Sequence, residues 1–357
     1  MMKKTLIYST LLAFFICALT GSLLVGAVSV SPSDVWALLA QYFGLIENPE
    51  TFSLNQYVIT DLRLPRIATA ILVGSGLAAA GVCTQGLFRN PLADPSLIGV
   101  SSGSALGAIF IIVLGPSLYI NLGLISERGE NNTANIQAIA LPLFAFAGGL
   151  LATIVAFKIA SYKGRTDTAL LLLAGVAINA VCGAGIGLLS YLSDDNQLRD
   201  LTFWNLGSVS KSDWSQIMLA SLIILPSSFV LFTFRRALNC FLLGESVASH
   251  IGYNVTFIKR SIIALTSLIV GTAVAMSGVI GFVGLVVPHM MRMLLGANHE
   301  QLLPSSIIFG ASLLMFADIF TRIIVAPAEL PIGLIMSMIG GPFFLGLLIK
   351  QRRSMSL

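Results

Sequence analysis

Charge is what this sequence has least of. Only 10% of its 357 residues are charged, against about 25% in soluble domains, while 56% are hydrophobic. The mean hydropathy is +0.91. That shortage excludes a soluble globular protein and implies a polytopic membrane protein. Each crossing takes about 20 apolar residues, so the length leaves room for about ten spans and for no sizeable soluble domain.

Other absences narrow the chemistry. Cysteine occurs four times (Cys17, Cys83, Cys182, Cys240) without CxxC or Cys/His spacing. Neither a disulfide framework nor a zinc site is indicated, and the four are expected to act as small hydrophobes. Histidine occurs three times (His250, His289, His299), with no HExxH and no acidic cluster for a metal. His289 beside Arg292 could be a relay, but a lone histidine near a helix end is expected to be structural. No GxxxxGK[ST] phosphate loop is present, so the chain has no such route to ATP hydrolysis.

Carboxylates are scarce where an ion-coupled transporter would need them. Ionisable groups in hydrocarbon are costly and usually functional. Here only Asp318 lies well inside a span, with Arg322 four residues on and able to pair across one helical turn. An ion-coupled secondary transporter is therefore disfavoured. An intramembrane enzyme is too, since no nucleophile–base pair is visible. A passive pore, or the membrane subunit of a machine with a separate motor, remains.

What the sequence has is apolar runs. Ten spans are expected at Thr5–Val30, Pro65–Phe88, Ile98–Leu114, Leu141–Ser161, Ala169–Leu192, Ile217–Phe234, Phe257–Ser277, Val279–Leu295, Leu303–Val325 and Ile332–Ile349. The first resembles a signal peptide, with Lys3 and Lys4 before an apolar core, but its length suits a retained helix. An even number of spans places both termini on one side. With that side cytosolic, 14 of the 20 basic residues fall inside, among them Lys163, Arg165, Arg235, Arg236, Lys259 and Arg260. The six outside are Arg63, Arg66, Arg128, Arg199, Lys211 and Arg322. The positive-inside rule supports this orientation.

Small residues at helical spacing (Gly74-xxx-Ala78, Gly103-xxx-Gly107, Gly183-xxx-Gly187) predict close helix contacts, since apolar burial cannot drive association in lipid. Two segments read as broken helices: Gly86–Ser104, with two prolines and Arg89, Asn90 and Asp94, and Ser277–Arg292. Gly81-Val82 precedes Pro91 by ten residues, as Gly278-Val279 precedes Pro288. Interrupted segments in matching positions of two halves point to a transport path.

The stretch CFLLGESVASHIGYN (Cys240–Asn254) is the most polar interruption. It lies on the cytosolic side between basic pairs and holds a short helix bounded by Gly244 and Gly252. One face offers Leu243, Val247 and Ile251, the other Glu245, Ser246 and Ser249. Apolar anchors with a polar rim suit a partner's groove; a solvated turn is the simpler alternative.

RLPR (Arg63–Arg66), QGLFRNPLADPSLIGVSSGSALGA (Gln85–Ala108), LLLAGVAIN (Leu171–Asn179), LGESVASHIG (Leu243–Gly252), GFVGLVVPHMMR (Gly281–Arg292) and AELPIGLIMSMIGGPFFLGLL (Ala328–Leu348) occur in order along nearly the whole chain. Together they resemble the FecCD-type permeases, the membrane subunits of ABC importers for ferric siderophores, haem and vitamin B12. The resemblance implies one all-α transmembrane domain over residues 1–357, in a bacterial cytoplasmic membrane, with a fold like the vitamin B12 importer permease. It implies a homodimer, two cytosolic ATPases holding ATP and Mg, and an extracytoplasmic binding protein. The permease itself is not catalytic, binds no cofactor or metal of its own, and has no nucleic-acid partner.

The same resemblance assigns residues. ATPase coupling falls to residues 240–254, at Leu243, Gly244, Glu245, Ser246, Ile251 and Gly252, with Ser246 where the family often has a second acid. Binding-protein docking falls to Arg63, Arg66 and Arg322. The inner gate falls to Asn90, Pro91 and Leu92 with Thr168 and Ala169, the last where the family often has a polar residue. The motif versions lean towards haem as cargo, then ferric siderophore, with vitamin B12 behind.

Overall fold

The computed structural model describes residues 2–26, 28–45, 54–121, 130–162, 165–210 and 213–355. Arg128, Lys163 and Lys211 of the charge count lie outside the described residues. Helix α1 (Met2–Leu24) is followed by α2 (Pro32–Tyr42) and by α3 (Leu54–Tyr57), which runs through a wide turn at Val58–Arg63 into α4 (Leu64–Phe88). In that turn the Leu64 N–H reaches back five residues to the Ile59 carbonyl. Pro65, the next residue, has no N–H to offer, which favours such a local rearrangement.

Then come α5 (Val100–Asn121), α6 (Glu130–Ala160), α7 (Thr168–Leu192), α8 (Asp195–Asn205), α9 (Trp214–Thr233), α10 (Arg235–Phe241) and α11 (Glu245–His250). The chain continues through α12 (Val255–Ser277), α13 (Val283–Leu295), α14 (His299–Ile323) and α15 (Ile332–Met355). A small antiparallel hairpin, β1 (Ser161–Tyr162) and β2 (Arg165–Thr166), joins α6 to α7.

Nine helices among the described residues are long and apolar enough to cross a membrane. The expected span at Val279–Leu295 is the exception, and the reason is local. Gly278 ends α12 at φ 67° and Phe282 sits at φ 68°, so the backbone from 278 to 282 cannot be helical. Only the 13 residues of α13 are helical here.

The segment nevertheless packs along α4. Gly278 lies against Trp204 and Gly207, Gly284 against Leu77 and Pro95, and Arg292 bonds Gln85 at 3.2 Å. An open stretch of about 3.3 Å per residue followed by a helix of about 1.5 Å per residue covers a core of about 30 Å. A run of this length is thus sufficient to keep the alternation of sides.

Helix α4 forms the centre and is buried along nearly its whole length. It is surrounded by α14, α12, α13 and α9. Glycines set the closest approaches: Gly74 meets Gly310 of α14, Gly81 meets Gly284 of α13, and Gly103 and Gly107 of α5 meet the α6 backbone at Gly148 and Phe144. Such approaches are how helices gain contact where water supplies no driving force. Gly183 and Gly187 differ: a Cβ at either would meet nothing within 4 Å. Their face of α7, with Leu173, Val181 and Leu188, is exposed.

Candidate functional site

The two ends of the bundle are built from the residues that the charge rule assigns to each side. At the inner end Arg236 pairs with Glu300 at 3.0 Å, Asn239 accepts from the His299 N–H at 2.8 Å, and Lys259 pairs with Glu245. At the outer end the turn at 206–208 bonds Ser277, Ile332 and Gly333 through main-chain hydrogen bonds of 2.7 to 3.1 Å.

The three arginines expected to dock a partner lie together at that outer end. None of them is at a free surface. Arg66 donates to Asp318 and Glu329, both at 2.7 Å, and to the Thr321 hydroxyl at 3.2 Å. Arg322 pairs with Asp318 at 2.9 Å, as the four-residue spacing predicted, and also donates to Ser22 Oγ at 2.8 Å and the Val25 carbonyl at 3.1 Å. Arg63 donates to the carbonyls of Leu23 and Val28. These contacts stitch α1, α4, α14 and the turn before α15 into one buried cluster. Burying charge is tolerated when it is paired and hydrogen-bonded. Arg66 and Arg322 meet both conditions, while Arg63 is hydrogen-bonded to main-chain carbonyls without a carboxylate partner among the described residues. Glu329 is the exposed member, with 44% of its side chain accessible.

Beside this cluster a cavity of about 510 Å³ opens between α8 and the turn at Glu329–Pro331, lined by Arg199, Asp200, Phe203, Trp204 and Ser208. Its size falls in the range of ligand pockets. A second cavity of about 300 Å³ lies deeper, where the two broken segments converge. Asp94, Pro95 and Ser96 form one wall, Val279–Phe282 and Gly284 another, and Leu77 of α4 a third. Non-helical backbone at such depth is tolerated where it is buried in protein or lines a cavity. The faint pairing of the two segments in sequence thus corresponds to real proximity.

The turn expected to gate the inner end is compact. Asn90 Oδ1 accepts the Leu92 N–H at 2.9 Å, and Asp94 Oδ1 accepts the Ser96 N–H at 2.8 Å, capping the single turn Pro95–Ile98. That turn reaches α7 through the Leu97 carbonyl, against Gly175. Thr168 and Ala169 open α7, whose first N–H groups are capped by Asp167: Oδ1 accepts from Ala169 at 2.8 Å and from Leu170 at 3.0 Å. Among the described residues no hydrogen bond joins Asn90–Leu92 to Thr168 or Ala169.

The Gly244–Gly252 segment is a helix, as expected. Gly244 at φ 115° and Gly252 at φ 101° bound α11, in conformations that side chains beyond glycine rarely adopt. Leu243, Val247 and Ile251 are exposed, with Leu243 at 70%. Ala248 is buried and holds the helix to the body. Glu245 turns inward rather than to the free face, and Lys259 Nζ donates to both its oxygens, at 3.0 and 3.1 Å.

His289 packs edge-on against Phe343 with centroids 6.2 Å apart, and its Nδ1 is buried without a hydrogen-bond partner among the described residues. Three residues were not singled out from sequence: Glu329, Lys259 and His299, which is fully buried with Nδ1 2.9 Å from Asn239 Oδ1. Glu329 lay inside a quoted motif, Lys259 was counted only as a basic flank, and His299 carried no signal.

Residues 11–350 match the model of the FecCD transport family. The chain belongs to that family. It is 42% identical to the hemin transport system permease protein HmuU of Yersinia pestis, over 99% of this chain and 98% of that one. It is 35% identical to the vitamin B12 import system permease protein BtuC of Shigella boydii, over 95% of this chain and 96% of the relative. A solved structure described as an inward-facing metal-chelate type ABC transporter superposes with a TM-score of 0.80 at 31% identity, covering 97% of this chain and 99% of that one. The protein is a multi-pass ABC importer permease of the FecCD family, nearly all helical as the resemblance implied.

Proposed function

We propose that this permease carries an iron chelate, haem first and ferric siderophore next, across the bacterial cytoplasmic membrane by ATP-driven alternating access. It works as a homodimer with the path along the two-fold axis, two cytosolic ATPases holding ATP and Mg, and an extracytoplasmic binding protein. The observation that carries this reading is the uncovered apolar side of the α11 segment on the cytosolic side, with Val247 and Ile251 exposed between Gly244 and Gly252 and Leu243 exposed just before them. Three apolar anchors on a short helix suit a groove on a motor subunit. The permease itself breaks no bond.

Haem as cargo is supported by the 42% identity to HmuU. The likeness to BtuC favours a second reading, vitamin B12. Arg63, Arg66 and Arg322 serve docking of the binding protein: Glu329, half exposed, is the carboxylate that a partner's acid displaces from Arg66. Opposite charges at such a rim orient a partner. Asn90, Pro91 and Leu92 with Thr168 and Ala169 close the inner end.

Proteoliposomes holding the permease with its ATPase, and the binding protein outside, test this. ATP-dependent uptake of haem above ferric siderophore and cobalamin is expected. Uptake driven by an ion gradient without the ATPase would instead support a secondary transporter.

A further inference from the structure

The motor-docking helix and the inner gate are joined through one buried lysine. Lys259 sits in the second turn of α12 and is only 6% exposed. An ammonium has three donor hydrogens, and here three acceptor oxygens surround it. Two belong to Glu245, the first residue of α11, at 3.0 and 3.1 Å; the third is the carbonyl of Thr166 in β2, at 2.8 Å. Burying a lysine is expensive unless it is paired and hydrogen-bonded, so this geometry is strongly specified.

Thr166 is held firmly in its own right. Its hydroxyl lies 3.0 Å from Ser161 Oγ across the hairpin. The next residue, Asp167, donates its N–H to the Ala160 carbonyl at 3.0 Å and caps α7 at Ala169 and Leu170. From the first residue of α11 to Thr168 the connection is therefore one ion pair, one hydrogen bond and two peptide units. Gly244, at φ 115°, separates α11 from α10, while the lysine ties the first residue of α11 to the strand that leads into α7.

We propose that Lys259 is a positioning residue that transmits displacement of α11 to the gate at Thr168–Ala169, by holding Glu245 and the Thr166 carbonyl together. The proposal rests on the reading of α11 as the ATPase-docking element. Glu245 then acts inside the permease instead of contacting the motor.

The test uses the complete transporter in proteoliposomes, with ATP hydrolysis and uptake of the cargo identified for the wild type measured in the same vesicles. Lys259→Met is expected to assemble and to hydrolyse ATP at the wild-type basal rate, with cargo moved per ATP lowered about ten-fold or more. Lys259→Arg, which keeps several donors, is expected to restore most of the ratio. The exchanged pair Glu245→Lys with Lys259→Glu keeps opposite charges but cannot donate from position 259 to Thr166. It is expected to remain uncoupled. An unchanged ratio in Lys259→Met, or full recovery in the exchanged pair, overturns the proposal and leaves Lys259 as a fold clamp. Should Lys259→Met fail to assemble, Glu245→Ala, which removes the α11 carboxylate that Lys259 holds, is read in the same assay, and a wild-type ratio there overturns the proposal equally. A wild-type permease that recruits no ATPase would sink the docking reading itself, before any variant is compared.

Discussion

Gly74 and Gly310 face each other so closely that a Cβ on either would fall against the other's carbonyl oxygen. This contact joins the central α4 to α14, and the obstacle on both sides is backbone rather than a movable side chain. Gly74→Val is therefore expected to force the helices apart. Overpacking of this kind costs about 1–3 kcal/mol, readable as a lowered thermal midpoint of the purified permease. A midpoint equal to wild type would show that the α4–α14 approach is looser than described.

The buried arginine cluster predicts an asymmetry between two ion pairs. Asp318 is 1% exposed and holds both Arg66 and Arg322. Asp318→Ala leaves two guanidiniums buried without their shared carboxylate, and breaking a buried pair costs about 3–5 kcal/mol. Arg236 and Glu300 pair at the inner surface with 74% and 41% of their side chains exposed. Arg236→Ala is expected to cost about 0–1 kcal/mol. Thermal unfolding of the two variants side by side checks the order; equal losses would refute it.

Asp94 offers a cleaner separation of cap from charge. Its carboxylate caps the Pro95–Ile98 turn and lines the deeper cavity. Asparagine caps almost as well as aspartate, whereas alanine loses about 0.5–2 kcal/mol. Asp94→Asn is thus expected to keep wild-type stability and uptake, with Asp94→Ala destabilised. Normal folding but lost uptake in Asp94→Asn would show that the charge itself acts in the path.

Legibility from sequence followed the range of each interaction. The polar, glycine-bounded 240–254 segment stood out because composition changes there, and its helix is present as read. The break at 278–282 was visible in its glycines, but not that an irregular stretch and a 13-residue helix would stand where one long span was expected. The ion pair of Asp318 with Arg322 was readable because one helical turn brings them together. Arg66 with Asp318 was not, because 252 residues separate them in the chain. Lys259 was hidden for another reason: among basic flanks a lysine reads as an orientation signal, and only the fold shows its ammonium turned inward.

The face of α7 that carries Gly183 and Gly187 supplies the sharpest test of the assembly. Within the protomer this face touches nothing at either glycine, while exposed Leu173, Val181 and Leu188 run along the same helix. A Cβ at Gly183 meets nothing within 4 Å in the single chain, and Gly183→Trp at such an open, exposed site is expected to shift stability by no more than about 0.5 kcal/mol. If the proposed homodimer places its two-fold path here, part of that face serves the second copy or the cargo. The same variant is then expected to retain the wild-type thermal midpoint while losing dimer, uptake or both, as read by mass in detergent and by transport in vesicles. Gly74→Val should show the reverse order, with stability falling first. If Gly183→Trp keeps dimer and uptake at wild-type levels, this face of α7 lies against lipid, and the second copy must approach from elsewhere.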